Sequence, residues 1–139
     1  MKNMKRICAL ALAAILCMSI LSACGGDPTD PWSDATYTRD TTLGEGEKTV
    51  TVEVAVNDHL ITFTIKTDAD VLGDALFETG LCVGEEGPYG LYVKYTNGIM
   101  ADYDVNQKYW ALYIDGEYAL TGVDSTPITE GTVYRLAYE

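Results

Sequence analysis

The chain has 139 residues and a formal net charge of −12, from 21 acidic residues against nine Lys and Arg. This length fits one ordinary domain and excludes a large two-domain enzyme. The acidic balance argues against nucleic-acid binding, which needs clustered basic side chains. A hydrophobic content of 47% with ten tyrosines excludes a solvated, disordered chain.

The N-terminus is typical of an export signal. Lys2, Lys5 and Arg6 form a positive head, and residues 7–20 form an apolar run without a charge. That run is shorter than the roughly 20 residues that a membrane-spanning helix needs. We therefore predict a signal peptide over residues 1–23 rather than a transmembrane segment.

Residues 21–24, Leu-Ser-Ala-Cys, resemble a bacterial lipobox. The resemblance implies that Cys24 carries a diacylglyceryl group and becomes the N-terminus after cleavage. The protein is then expected on the cell membrane, lipid-anchored at its extracytoplasmic face. The alternative is an ordinary secretory signal with a chance cysteine. Removal of the signal leaves a net charge of −15, and Cys82 is then the one cysteine that is not lipidated.

The rest of the chain divides into a tether and a domain. Residues 24–47 are rich in Gly, Pro, Asp, Thr and Ser and have no apolar period, which predicts a flexible tether. The alternating and helical apolar patterns begin at Lys48, so we expect the domain to cover residues 48–139. Cys82 stands between Leu81 and Val83, and this setting favours a buried core position over a reactive thiol.

The start of the domain predicts a β-hairpin followed by a helix. Residues 48–56 and 60–66 alternate apolar with polar side chains, and Asn57-Asp58 between them is a turn signal. The pattern then changes to a helical period, with a capping box expected from Thr67 and a helix end at Gly80.

The remainder consists of strands and turns. We expect strands at 89–96, 109–114, 117–120 and 132–138. The predicted fold is α+β, a β-grasp-like roll in which one helix packs on a mixed sheet of about five to six strands.

Few residues could support catalysis or metal binding. His59 is the sole histidine, and no nucleophile–histidine set, phosphate loop or zinc motif occurs, so we expect no enzyme and no catalytic residues. Residues 102–106 imitate the opening of a calcium loop. The imitation fails at Gln107, where glycine is needed, and at Tyr113, where a bidentate Glu is needed. A solvated acidic loop is the preferred interpretation; weak calcium binding stays open, and no metal ligand is assigned.

The tyrosines are the more informative residues. In residues 109–114, alternation places Trp110, Leu112 and Ile114 on one face and Tyr109 and Tyr113 on the other. A single helix covers one face of a sheet, so the tyrosines of the opposite face could bind a flat or amphipathic partner. The strand propensity of tyrosine explains the pattern equally well.

An ordered set of short motifs covers about residues 70–138. These are Asp-Val-Leu-Gly-Asp-Ala-Leu at 70–76, Gly-Pro-Tyr at 87–89, Asn-Gly-Ile at 97–99, Tyr-Trp at 109–110, Asp-Gly at 115–116, Leu-Thr-Gly-Val at 120–123 and Glu-Gly-Thr-Val at 130–133. In this order and spacing they resemble the C-terminal domain of transcobalamin and intrinsic factor, and the bacterial transcobalamin-like modules formerly described as a domain of unknown function.

The resemblance implies a β-rich domain that, in the vertebrate carriers, covers one face of cobalamin while a helical barrel covers the other. No cofactor is required, and cobalamin is the ligand that it suggests. The positions that match point to Tyr89, Tyr92, Asn97, Gly98, Tyr109, Trp110 and Tyr113 as ligand-binding residues. For Trp110 a core role competes with ligand contact.

Two functional hypotheses follow. In the first, a membrane-anchored surface lipoprotein uses its transcobalamin-like domain to bind a small ligand, such as cobalamin or another corrinoid, and passes it to an importer. In the second, the domain is a non-catalytic protein-interaction or display module that binds another surface protein through a sheet edge or the tyrosine face.

Overall fold

The structure is a computed structural model that describes residues 30–88 and 90–139. The predicted signal peptide, Cys24 and Tyr89 lie outside the described residues. The chain divides into two units, Met1–Ser33 and Asp34–Glu139, and the second contains the strands and helices discussed below. No helix among the described residues is long and apolar enough to cross a membrane.

Nine strands and two helices form two sheets within the described residues. In chain order the elements are β1 (Thr41–Gly44), β2 (Lys48–Val56), β3 (His59–Thr67), α1 (Leu72–Glu78), β4 (Cys82–Gly87), β5 (Gly90–Thr96), β6 (Ile99–Met100), α2 (Tyr103–Asn106), β7 (Trp110–Ile114), β8 (Glu117–Tyr118) and β9 (Val133–Tyr138). The larger sheet has the order β1-β3-β2-β9-β7-β8, and the smaller has the order β4-β5-β6. Short 3-10 turns occur at Pro31–Asp34 and Val123–Ser125.

This architecture confirms the predicted α+β class. The larger sheet is mixed, because β1 runs parallel to β3 and β2 runs parallel to β9, while the other pairs are antiparallel. It has six strands, and α1 is the main helix. The second, three-stranded sheet was not predicted.

The core lies on one face of the larger sheet, where alternation places the apolar side chains. Alternate residues from Val50 in β2 and from Ile61 in β3 are buried on this face, as are Tyr134 and Leu136 of β9. Leu72, Ala75 and Leu76 of α1 are also buried. The opposite face carries threonines and charged residues that are half-buried. The predicted hairpin is confirmed, with Asn57 in the left-handed conformation at its turn.

The helix starts later than the capping box predicted. Thr67 is the last residue of β3 and pairs with Lys48, so its backbone is extended rather than helical. Its hydroxyl oxygen accepts a hydrogen bond from Ala69 N at 3.0 Å and its hydroxyl donates to Glu78 at 2.5 Å. The capping box at Thr67 is therefore wrong, and α1 begins at Leu72 without a side-chain cap.

Part of the predicted tether packs into the fold. Thr41–Gly44 forms β1, which adds to the edge of β3. The ring of Tyr37 packs edge-on against Phe63 with ring centroids 5.7 Å apart. The compact unit therefore begins before Lys48, because strand pairing and an aromatic contact hold this segment without any apolar period of its own.

Asn97 fixes the segment before β1 to the small sheet. Its side-chain oxygen accepts from Tyr37 N at 2.8 Å, and its side-chain nitrogen donates to Tyr37 O at 2.9 Å. Its own backbone oxygen accepts from Thr36 N at 2.9 Å. The residue after Asn97 is Gly98, and a Cβ at this position would lie 2.6 Å from the backbone oxygen of Asp34. Position 98 therefore has no room for a side chain.

Cys82 is a buried free thiol at the start of β4. It is 1% exposed, and its sulfur lies 3.5 Å from the hydroxyl oxygen of Thr96. Burial raises the pKa of this thiol to about 12, while the hydrogen bond with Thr96 acts in the opposite direction. The structure thus places Cys82 in the core, as the sequence predicted.

We expect Asn97→Ala to destabilise the fold by about 2 kcal/mol, because it removes two hydrogen bonds and leaves the backbone of Tyr37 unpaired. Urea denaturation measures this change. Asp58→Ala, at an exposed turn position, is the matched control and should change stability by less than about 0.5 kcal/mol. Equal effects of the two substitutions would contradict the role assigned to Asn97.

We also expect the Cys82 thiol to resist alkylation in the folded protein at pH 8, because the neutral thiol is enclosed and the thiolate is the reacting species. Counting reactive thiols with and without denaturant, against Cys82→Ala, measures this. Because the pKa of Cys82 is higher in the folded than in the unfolded chain, the free energy of unfolding is unaffected by this thiol below its ordinary pKa. It decreases as the pH rises from there towards about 12. Rapid labelling of Cys82 without denaturant would contradict the prediction.

Candidate ligand-binding site

Two adjoining cavities lie on either side of Tyr92 in β5. The hairpin cavity, of about 550 Å³, lies between the β4–β5 hairpin and α2. The sheet-edge cavity, of about 280 Å³, lies between β5, β7 and the segment 118–123. Leu91 and Tyr92 line both of them, so one strand segment forms their common wall.

The hairpin cavity is acidic with one cation. Glu85, Asp102 and Asp104 line it, and the Lys94 ammonium lies 3.1 Å from Glu85 and 3.6 Å from Asp102. The hydrogen bond to Glu85 is the main cause that raises the pKa of Lys94, so the lysine stays charged. These exposed pairs are screened by water and hold the side chains in place more than they stabilise the fold.

Helix α2 places Tyr103 at the mouth of the hairpin cavity. The carboxylate of Asp102 accepts from Asp104 N at 3.1 Å and caps this single turn, which ends at Gln107 in the left-handed conformation. Tyr103 is largely exposed, and its backbone N–H donates to the Tyr92 hydroxyl at 3.4 Å. The residues that imitate a calcium loop thus form a capped helical turn.

The sheet-edge cavity is mainly apolar and aromatic. Trp110, Leu112 and Val93 form its buried wall, and Tyr118 and Leu120 lie on its open side. Leu120 is 96% exposed, which is unusual for a leucine in a region that the structure describes. Tyr109 also lines this cavity.

The structure brings three of the predicted ligand-binding residues together. Tyr92, Tyr109 and Trp110 all line the sheet-edge cavity, and Tyr92 lines the hairpin cavity as well. Trp110 is 8% exposed and its ring packs against Tyr138 with centroids 5.5 Å apart. It therefore combines a core position with a place in the cavity wall.

The other predicted residues lie elsewhere. Asn97 and Gly98 hold the segment at Tyr37, and neither lines a cavity. Tyr113 lies on the open face of the larger sheet, where its hydroxyl donates to Glu139 at 2.7 Å. Tyr89 lies outside the described residues. The ligand-binding assignment of all seven residues stays a prediction.

Tyr109 and Tyr113 both donate to the carboxylate of Glu139, at 3.3 and 2.7 Å. The Tyr118 hydroxyl is the main cause that raises the pKa of Tyr109 to about 12, followed by partial desolvation and the charge of Glu139. For Tyr113 the hydrogen bond to Glu139 is the main cause of a raised pKa. Both hydroxyls are thus neutral donors at physiological pH.

Sequence analysis missed Leu91, Lys94, Tyr103, Tyr118 and Leu120 as residues of this site. Tyr103 lies in a segment that was interpreted only for its carboxylates as possible calcium ligands. Leu120 lies in a short segment that was predicted to be a paired strand. The signal available in the sequence was the presence of large apolar side chains in two segments next to turns: Tyr103 in residues 102–106, and Tyr118 and Leu120 in residues 118–123.

The arrangement offers aromatic planes, neutral hydroxyl donors and one paired cation, which suits binding of an amphipathic molecule. Among residues 30–88 and 90–139, no group of three or more His, Cys, Asp and Glu side chains is placed to hold a metal ion. The side chains that line the cavities include no histidine or cysteine.

Several solved structures are similar to this chain, and two of them are described here. A candidate metal-binding protein from Ruminococcus gnavus is 35% identical, with a TM-score of 0.62 over 67% of this chain and 97% of the relative. Haptocorrin in complex with Cbi has a TM-score of 0.51 at 16% identity, over 69% of this chain. The match spans only 26% of haptocorrin, and at this identity it shows a shared fold.

No curated protein matches the chain. The family model that describes a domain of unknown function, DUF4430, matches residues 69–139, about half of the sequence. The predicted relationship to the transcobalamin-like domains is confirmed by this match together with the fold shared with haptocorrin. The chain therefore belongs to the DUF4430 family, which is related to the transcobalamin-like domains.

Proposed function

We propose that this protein is a membrane-anchored surface lipoprotein whose transcobalamin-like domain binds a small amphipathic ligand, with a corrinoid as the first candidate. One observation carries the proposal. Two cavities adjoin along Leu91 and Tyr92, and aromatic side chains line both. Their volumes, about 550 and 280 Å³, fall within or near the range of small-molecule sites.

The chemistry of the walls supports a ligand that is both flat and polar at its rim. Tyr92, Tyr103 and Tyr118 are exposed aromatic residues, each with a hydroxyl beside an apolar ring. Such side chains contact a flat ring system while donating to groups at its edge. A corrinoid fits this description, and haptocorrin, which shares the fold, has its structure in complex with Cbi.

The small size of the domain supports a partner that completes the site. The structural match spans 26% of haptocorrin, and the linings of the two cavities include the exposed side chains of Tyr103 and Leu120. We propose that an importer or another surface protein covers the ligand there, and that the isolated protein binds weakly. A tether to the membrane would offset weak binding by raising the local concentration of the domain near its partner.

We propose a binding rather than a catalytic role. The side chains lining the two cavities contain no histidine or cysteine, and two carboxylates of the hairpin cavity, Glu85 and Asp102, are paired with Lys94.

We expect Tyr92→Ala to weaken cyanocobalamin binding about tenfold, since it removes the aromatic wall that both cavities share and a loss of about 1.4 kcal/mol is tenfold in affinity. Equilibrium dialysis of the purified protein with cyanocobalamin measures this. The matched control is Tyr95→Ala. Tyr95 lies on the same strand and is as exposed, at 39% against 37%, but it lines neither cavity.

Two results would contradict the corrinoid proposal. The first is no saturable binding of cyanocobalamin, either to the protein alone or with a neighbouring import protein. The second is an equal loss of affinity in both variants, which would place the ligand away from Tyr92.

We expect Cys24→Ser to abolish lipid labelling and to release the protein from the membrane fraction, because only a thiol accepts the diacylglyceryl group. Metabolic labelling with radioactive palmitate and fractionation of the host cells measure both. Cys82→Ala, which removes the buried thiol, should leave labelling unchanged. Labelled protein after Cys24→Ser would contradict the lipid anchor.

A further inference from the structure

The outer edge of β7 is open at Trp110. Tyr109 and Glu139 exchange both of their backbone hydrogen bonds, at 2.9 and 3.1 Å. Hydrogen-bonded and non-hydrogen-bonded pairs alternate in an antiparallel ladder, so the next pair, Trp110 with Tyr138, is not hydrogen-bonded. The backbone N–H and C=O of Trp110 therefore point away from β9 and toward the outer edge of β7.

No described residue pairs with this backbone. Strand β8 pairs with β7 only at Tyr113 and Ile114, and Ala119 N then donates to Leu112 O at 2.8 Å. After Ala119 the chain leaves the edge, two residue pairs before the position that would lie opposite Trp110. Trp110 is 8% exposed as a whole residue, and an unpaired peptide group at a buried position is unfavourable.

The sheet-edge cavity lies at this opening. Its walls include Trp110 and Leu112 on the strand side and residues 119–123 on the departing segment. The indole Nε1 of Trp110 is also buried and has no hydrogen-bond partner among the described residues. A single residue at the cavity thus carries an unpaired acceptor and two unpaired donors.

The same chain shows which group satisfies the N–H and C=O of a single residue, Tyr37. The side-chain carboxamide of Asn97 accepts from Tyr37 N at 2.8 Å and donates to Tyr37 O at 2.9 Å. A carboxamide places an acceptor and a donor side by side, which matches the two backbone groups of a residue in a strand. A carboxylate or an ester lacks the donor.

We propose that the sheet-edge cavity is a carboxamide subsite, in which the amide oxygen of a small-molecule ligand accepts from Trp110 N–H and its nitrogen donates to Trp110 C=O. The inference deepens the proposed function, because it names the ligand group that the cavity takes, and it rests on that function for the whole ligand. The buried apolar wall at Val93 and Leu112 contacts the carbon chain that carries the amide.

The test follows the Trp110 backbone amide in nitrogen-15 NMR spectra of the full chain. Propionamide is added to about 100 mM, because a molecule of this size binds weakly. We expect a saturable shift of the Trp110 amide with propionamide and none with methyl propionate, which lacks the donor. No response, or an equal response to both compounds, would overturn the proposal.

A pair of variants separates the cavity from nonspecific effects. Ala119→Leu fills the sheet-edge cavity and should abolish the response of Trp110 to propionamide. Ala55→Leu adds the same bulk on the open sheet face, away from both cavities, and should preserve it. The spectra themselves report whether each variant is folded. An unchanged response in Ala119→Leu would place the amide elsewhere.

Cyanocobalamin distinguishes failure of this subsite from failure of the proposed function. If it does not bind while propionamide shifts Trp110, the corrinoid is wrong and the carboxamide subsite stands. If it binds while Trp110 ignores propionamide, the subsite is wrong and the corrinoid stands.

Discussion

The short pairing of β8 with β7 is the constraint on which the candidate site depends. Asp115 and Gly116 both have positive φ and form a two-residue turn, which sets the register of Tyr113 against Tyr118. The two chain segments then separate after the hydrogen bond from Ala119 N to Leu112 O. Had the strands paired further, the backbone of Trp110 would be satisfied and the segment 119–123 would fill the space that is now the sheet-edge cavity. The cavity is thus a product of the ladder ending early.

The second sheet, β4-β5-β6, holds β5 across the sheet-edge cavity from Trp110 of β7. Its turn at Asn97 and Gly98 is fixed by the bonds to Tyr37 and by contact with the backbone of Asp34. The conformation of β5 and its Tyr92 is therefore tied to a segment before β1 that carries no ligand-binding residue. This explains why the Asn-Gly pair accompanies the site without lining it: the two residues position the strand that forms the wall.

The extent of the sequence prediction follows the range of the interactions involved. Apart from β1, the strands of the larger sheet were predictable, because the alternation of apolar and polar residues is a local signal. The end of α1 next to Gly80 was predictable for the same reason, since glycine is a local helix-end signal. Strand β1 was not, since its pairing with β3 relies on backbone hydrogen bonds that need no apolar period. The contribution of Tyr103 and Leu120 was also hidden, because it depends on how two distant turns come to face β5.

Charge and cavity position are compatible with the receptor proposed above, which faces outward and works with a partner. Without the predicted signal the chain has a net charge of −15, and an anionic membrane surface repels such a domain. Three of the exposed large hydrophobic side chains, Tyr103, Tyr118 and Leu120, line one or other of the two cavities. A domain that is solubilised by acidic residues but leaves a leucine 96% exposed beside its binding site has a surface suited to being covered when ligand is bound. The ligand and the covering protein would then bury that leucine together, so that each strengthens the binding of the other.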